Sequence, residues 1–334
     1  MTTIRDVARL ARVAPITVSR VLNNAGPVNM ETRARVETAI AELHYVPNVL
    51  ARSLRFKHTQ TLALVLTDIT NPFWTRVARG VEDTARRFGY SVILCNTDEN
   101  EAIQLETVNL LLQKQADGIL LVPRRNGAAL VERIRRQQVP VVVLDRHIPG
   151  LPVDIVRGDS EGGAYALTRL LLELGHTRIT LLSGPEDVPT AADRAAGFRR
   201  ALVEAGCNTA CPVLFGEYSY TSGKALALQA LAAQPAPSAL FAGNNLIATG
   251  ALHAVRESGR DVPRDLSLVC FDDFPPELLV EPFFTTAAQP AYELGCQATH
   301  LLLERLSASS TGGPREIVLP VEIITRRSSG PYTG

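Results

Sequence analysis

Hydrophobic and polar positions fall into two textures along this chain. From residue 61 onward, short apolar runs alternate with longer amphipathic stretches. TLALVLT (61–67), SVILCN (91–96), GILLVP (118–123) and VPVVVLD (139–145) are separated by helical segments of about 12 to 18 residues, the spacing of βα units in a parallel sheet. A second series, RITLLSG (178–184), SALFAG (238–243) and LSLVCFDD (266–273), repeats the pattern. The chain closes with REIVLPVEIITRRSS (315–329) after the Gly/Ser-rich loop SASSTGG (307–313). The expected class is α/β, with two doubly wound parallel sheets. Ligands of such sheets bind outside the carboxyl ends of the strands, so the residues just after each run carry the functional weight. They include Asn71, Phe73 and Trp74 after the first strand, Arg146 after the fourth and Asp159 after DIVRG. Asn244 and Asn245 follow SALFAG, and Asp272 with Asp273 follows LSLVC.

The first 46 residues have the other texture. TIRDVARL (3–10) opens with a Thr3 to Asp6 capping pair and puts Ile4, Val7, Ala8 and Ala11 on one stripe. PITVSRVLN (15–23) starts a second helix with Pro15 at its first position. A third helix, capped by Asn29 and apolar at Val36, Ile40 and Leu43, can cover both. Two short helices joined by a tight turn are the plan of a helix-turn-helix, whose second helix enters the major groove. On that helix Thr17 and Ser19 are short donors suited to phosphate, and Arg20 can reach a guanine with two hydrogen bonds. A generic three-helix bundle shows the same periodicity.

Charge distinguishes the two. The net charge of the 334 residues is zero, yet residues 1–60 hold nine Arg and Lys against four Asp and Glu, so a basic head precedes an acidic body. Such asymmetry points to a polyanion partner for the head. With 46% hydrophobic and 20% charged residues the chain is an ordinary globular protein, long enough for two or three domains. No apolar run reaches the roughly 18 residues of a membrane span and the N-terminus has no apolar signal-peptide core, so a cytoplasmic protein without a membrane partner is expected. The five cysteines, Cys95, Cys207, Cys211, Cys270 and Cys296, read as reduced structural residues.

Between the two textures lies ARSLRF (51–56), which sets Leu54 between Arg52 and Arg55 in a segment too short to have a core. Together with TIRDVARLARVAPITVSRVLN, TRARV and LHYVPN it closely resembles the N-terminus of the lactose-repressor (LacI/GalR) family of bacterial transcription regulators. ITNPFW, ADGILLVP, GGAYALTRLLLELGH, DRAAGF, CFDD and TTAAQP continue the resemblance through almost the whole chain. It implies a helix-turn-helix domain at 1–46, a hinge helix and linker at 47–59, and a two-lobed, periplasmic-binding-protein-like effector and dimerisation body at 60–334. The lobes would be about 60–159 with 291–320, and 160–290 with 321–330. In that family the hinge folds on operator DNA and its leucine wedges into the minor groove, as apolar side chains do when they kink a duplex. Arg52 and Arg55 would hold the adjoining phosphates. Thr3, Ile4 and Asn23 join Pro15, Ile16, Thr17, Ser19 and Arg20 in the implied DNA-binding set, with Pro15 and Ile16 expected to touch a thymine methyl. Paired hinges imply a homodimer on a near-palindromic site. In the body Thr190, Arg194, Tyr218 and Gln289 join the strand-end residues around a small-molecule effector, most often a sugar or sugar derivative, with no cofactor or metal.

Departures from the family pattern qualify this. Arg12 stands at a turn position that often holds Gly or Asn, and a left-handed backbone there would cost about 1 kcal/mol. Ala14 replaces a capping Ser, removing another contribution of about 1 kcal/mol. Asn245 replaces a frequent Asp, and no leucine heptads follow the last strand, so a dimer is expected rather than a tetramer.

Two rival functions are legible. A periplasmic-type sugar-binding protein would share the body but has no use for residues 1–57. A serine hydrolase would read GDSEG (158–162) as G-x-S-x-G around Ser160, with Asp272 or Asp273 and His300 following in order. His300 lies within an amphipathic helical pattern rather than on a post-strand loop, and no metal or nucleotide motif is present, so a ligand-controlled regulator, most often a repressor, is the expected function and an enzyme is not.

Overall fold

The computed structural model describes residues 2–46, 58–125, 127–207, 210–275, 281–307 and 312–332. The chain divides into two compact units, Met1–Thr59 and Gln60–Gly334.

In the first unit, helices α1 (Ile4–Leu10), α2 (Pro15–Leu22) and α3 (Met30–Glu42) close over Val7, Ala8, Ala11, Val18, Val21, Val36 and Ala39. Thr3 and Asp6 form the expected reciprocal capping box, and Asn29 Oδ1 accepts from Thr32 N at 2.8 Å. Arg12 has φ +55, so the left-handed turn falls on a residue with a Cβ. Ala14 gives α2 no side-chain cap.

The second unit holds β1 (Thr61–Leu66), α4 (Pro72–Arg87), β2 (Ser91–Asn96), α5 (Glu101–Gln113), β3 (Gly118–Leu121), α6 (Gly127–Arg136), β4 (Val141–Leu144) and β5 (Asp154–Gly158). The chain continues through α7 (Ser160–Glu173), β6 (Ile179–Ser183), α8 (Pro189–Glu204), β7 (Val213–Phe215), α9 (Tyr220–Leu231), β8 (Ala239–Ala242), α10 (Asn245–Glu257) and β9 (Ser267–Phe271). It ends with β10 (Thr285–Ala288), α11 (Ala291–Leu306), β11 (Glu316–Leu319) and β12 (Glu322–Ile324). Two six-stranded sheets result, ordered β11-β5-β4-β3-β1-β2 and β12-β10-β9-β8-β6-β7. Strand β9 thus occupies in the second sheet the place of β4 in the first. The first sheet is wholly parallel, whereas β12 runs antiparallel to β10. The closing segment therefore contributes one strand to each sheet. Strands β5, β7 and β10 lie outside the clear apolar runs because they are short or rich in Asp, Arg and Thr; neighbouring strands recruit them.

Parallel strands buried on both faces read as continuous apolar runs, and β1, β3, β4, β6, β8 and β9 are of this kind. Helix α4 shows how the covering layer forms. Asn71 caps it, Pro72 fits its first turn, and Phe73, Trp74, Val77, Val81 and Ala85 recur at helical spacing on its buried face. It crosses α11 through two glycines. A Cβ on Gly80 would lie 2.1 Å from Tyr292 O, and one on Gly295 would lie 2.2 Å from Val77 O.

Such approach tolerates no methyl group. Gly80→Ala should lower stability by about 1–3 kcal/mol through overpacking, while Gly312→Ala, where a Cβ meets no atom within 4 Å, should stay within about 0.5 kcal/mol. Thermal unfolding of the two variants checks this, and equal melting temperatures would count against the close crossing.

Candidate functional site

The carboxyl ends of both sheets open onto one cavity of about 640 Å³. From the first sheet come Thr67, Asp68, Thr70, Asn71, Phe73 and Trp74 around the β1–α4 turn, Asp98 and Glu99 after β2, Arg124 after β3, and Asp145 with Arg146 after β4. The second sheet contributes Thr190 and Arg194 on α8, Glu217, Tyr218 and Ser219 after β7, Asn244 after β8 and Asp272 after β9. Volume and mixed lining suit a small polar molecule.

Charges on the floor are paired and buried. Arg194 stacks 3.9 Å over the Phe271 ring, donates from Nη1 to Gly243 O at 2.6 Å and lies 4.0 Å from Asp272. Gln289 Nε2 donates to Asp272 Oδ1 at 2.7 Å. Glu99 accepts from both terminal nitrogens of Arg146, one of them at 2.9 Å, and from Arg124 at 3.3 Å. Burial pushes the Glu99 carboxyl up, but the attraction and hydrogen bonds of Arg146, with Arg124, more than reverse this and hold it below its ordinary range. Asp145 and Asp272 stand after the corresponding strands β4 and β9, both with left-handed backbone at φ +62 and +64. Burial raises both carboxyls, Asp145 to about 6 even with Arg194 and Arg146 nearby. Aromatic surface comes from Tyr218, whose hydroxyl lies 3.2 Å from Thr190 Oγ1, and from the edge-to-face Phe73–Trp74 pair. Across the cavity Asn245 Nδ2 donates to Asn71 Oδ1 at 3.0 Å.

A second candidate surface lies on the first unit. Helix α2 leaves Pro15, Ile16 and Arg20 exposed, Ile16 at 46%, while Val18 and Val21 enter the core. Thr17 and Ser19 are half-buried beside them. Asn23 folds back, its amide donating to Ser19 O at 2.7 Å, and the Thr3 hydroxyl donates to Asp6 at 2.6 Å. Ile4 packs against the core.

Residues 3–48 match the family described as bacterial regulatory proteins, lacI family, and residues 59–327 match periplasmic binding proteins and sugar binding domain of LacI family. The chain belongs to the lacI family. It is 36% identical to the HTH-type transcriptional regulator DegA of Bacillus subtilis (strain 168), over 99% of this chain and 98% of that one. It is 35% identical to the ribose operon repressor of Escherichia coli (strain K12), over 96% and 98%. The lac repressor dimer bound to operator and the anti-inducer ONPF superimposes with a TM-score of 0.86 at 28% identity, covering 98% of this chain and 99% of that one.

Within this lacI-family chain most residues expected at the cleft, from strand ends or from the resemblance, do line it: Asn71, Phe73, Trp74, Arg146, Thr190, Arg194, Tyr218 and Asp272. Three stand behind it. Asp159 caps α7, its Oδ1 accepting from Gly162 N at 2.8 Å; Gln289 holds Asp272; and Asn245 is fully buried against Asn71. Trp74 belongs to the core beneath the cleft rather than to an outer face. Asp273 is engaged by Arg326 at 2.6 and 2.7 Å. Glu99, Arg124 and Asp145 were missed, although the strand-end rule that singled out Arg146 covers them too. Arg52, Leu54 and Arg55 lie outside the described residues. The hydrolase constellation is not assembled: Ser160 Oγ is buried without a partner at the start of α7, while the His300 ring packs on Phe88.

Asp145 gives a pH test whose sign is opposite to that of a salt-bridged aspartate. Its folded pKa lies above the unfolded value, so the native state holds the proton more tightly and stability falls as pH rises from about 4 to about 6. Above that range the ionised group costs on the order of 3 kcal/mol. Asp145→Asn should therefore melt above the wild type at pH 8, with the advantage shrinking toward pH 5. An advantage that grows with acidity would refute the assignment.

Proposed function

We propose that the chain is a homodimeric transcriptional repressor that reads a near-palindromic operator and is switched by a small polyhydroxylated effector, a sugar or sugar derivative, in the cleft between its lobes. Residues 1–46 are the DNA-binding domain, 47–59 the hinge, and 60–334 the effector body. The observation that carries this reading is the union, in one chain, of an exposed recognition face at Pro15, Ile16 and Arg20 with a cavity walled by carboxylates, guanidiniums and aromatic rings. Hydroxyls both donate and accept, so a wall with both kinds of partner suits a polyol. Its relatives support it: one is a ribose operon repressor, and a structural neighbour is a lac repressor dimer bound to operator. Base contact falls to Arg20 and Ile16, phosphate contact to Thr17 and Ser19, and minor-groove contact to Leu54 between Arg52 and Arg55. Ligand binding to both lobes biases their relative arrangement, which is the physical form of the switch. The protein acts in the cytoplasm, beside the chromosome, and is not an enzyme.

Fluorescence anisotropy of the full-length protein on its upstream DNA, with and without a panel of sugars, tests the whole reading. Arg20→Ala should weaken binding to that site by about 5- to 150-fold, the 1–3 kcal/mol of a bidentate base contact, and weaken random DNA far less. Equal losses on both DNAs would reduce Arg20 to a phosphate contact. Failure of every DNA to bind would remove the regulator reading itself.

A further inference from the structure

Charge in the cleft limits what can enter it. The lining holds three cations, Arg124, Arg146 and Arg194, and six carboxylates, with neither Lys nor His among them. Each guanidinium is engaged through at least one terminal nitrogen, although each Nε is buried without a hydrogen-bond partner. Arg146 is only 3% exposed and donates to Glu99 through both terminal nitrogens; Arg124 shares the same carboxylate and also donates to Glu99 O at 2.7 Å. Arg194 is held by Gly243 O and lies near Asp272. Over this neutralised floor stand Asp68, Asp98 and Glu217. A ligand anion pairing with Arg124 and Arg146 would have to displace Glu99 from both guanidiniums, leaving a largely buried carboxylate unpaired, while also approaching further negative charge. A hydroxyl needs neither step, because it can donate to Asp145 or Asp272.

We infer that Glu99 is a specificity-determining residue: by occupying Arg124 and Arg146 it excludes phosphorylated and carboxylated ligands and leaves the cleft selective for neutral polyhydroxylated ones. This rests on the cleft being the effector site, and the test separates the two statements. Without Glu99, the same two arginines form an anion site, since guanidinium pairs suit phosphate and carboxylate.

Calorimetric titration of full-length wild type and Glu99→Gln with ribose and ribose 5-phosphate, glucose, glucuronate and glucose 6-phosphate, and inorganic phosphate reads this directly. In the wild type the neutral member of any pair that binds should be favoured at least about tenfold. In Glu99→Gln, with its circular dichroism spectrum intact, inorganic phosphate and the phosphorylated sugars should gain about tenfold or more over wild type. If Glu99→Gln does not fold, Asp98→Asn on the rim should give a smaller gain for the same anions, lost at high salt. A wild type that prefers the anionic member, or a folded variant that gains no anion affinity, overturns the inference. Phosphate gain by the variant together with indifference to every neutral sugar upholds the role of Glu99 and removes the polyol reading instead.

Discussion

Two sheets are joined by three passages of chain, and the cleft exists because those passages are held side by side. The first runs from β5 into α7, the second from β10 into α11, and the third from β11 into β12. Asp159 N donates to Leu319 O at 2.9 Å, tying the first to the third. Gly158 lies so close to Gln289 that a Cβ would meet its Oε1 at 1.9 Å, pressing the first against the second. With the lobes linked along that edge of the two sheets, direct contacts such as Asn245 to Asn71 and Arg125 to Asp187 span the cleft between them. Asp159 and Gln289 stand outside the cleft lining for the same reason: at the passages their side chains hold neighbouring groups, Gly162 N and the Asp272 carboxylate.

The head rests on less. Its core is seven buried residues, three of them alanine, so local terms decide much of its stability. The Thr3–Asp6 box and the Asn29 cap contribute, whereas Arg12 in left-handed backbone and the uncapped Ala14 subtract on the order of 1 kcal/mol each. Both unfavourable positions border α2, so the helix proposed to contact DNA is also the one least secured by its own sequence.

Much of this is legible in the sequence. Six of the twelve strands are buried on both sides of a sheet and read as apolar runs; β5, β7 and β10 are defined by neighbours and carry no such mark. Asp272 is legible because a polar residue directly after an apolar run has few other uses, and Asn71 because it stands in the turn that opens the helix after β1. Asp145 is masked by ending the run VPVVVLD, and Glu99 stands among several polar residues of the turn after β2, none of which the local sequence singles out. The pairing of Glu99 with Arg146 spans 47 positions, so no local pattern could announce it.

Asp145 and Asp272 show what the cleft stores. Each is a buried carboxylate with positive φ at the end of a corresponding strand, and each is raised by burial above its ordinary pKa. Neither feature helps folding: left-handed backbone costs about 1 kcal/mol, and an ionised carboxylate out of water costs more unless it is fully hydrogen-bonded. Strain of this kind persists where surrounding structure over-determines it, and here two large sheets do so. A ligand hydroxyl that donates to either oxygen recovers part of that stored energy on binding. The lobes can thus be held by a small molecule, because its hydrogen bonds replace water at groups the fold has already desolvated.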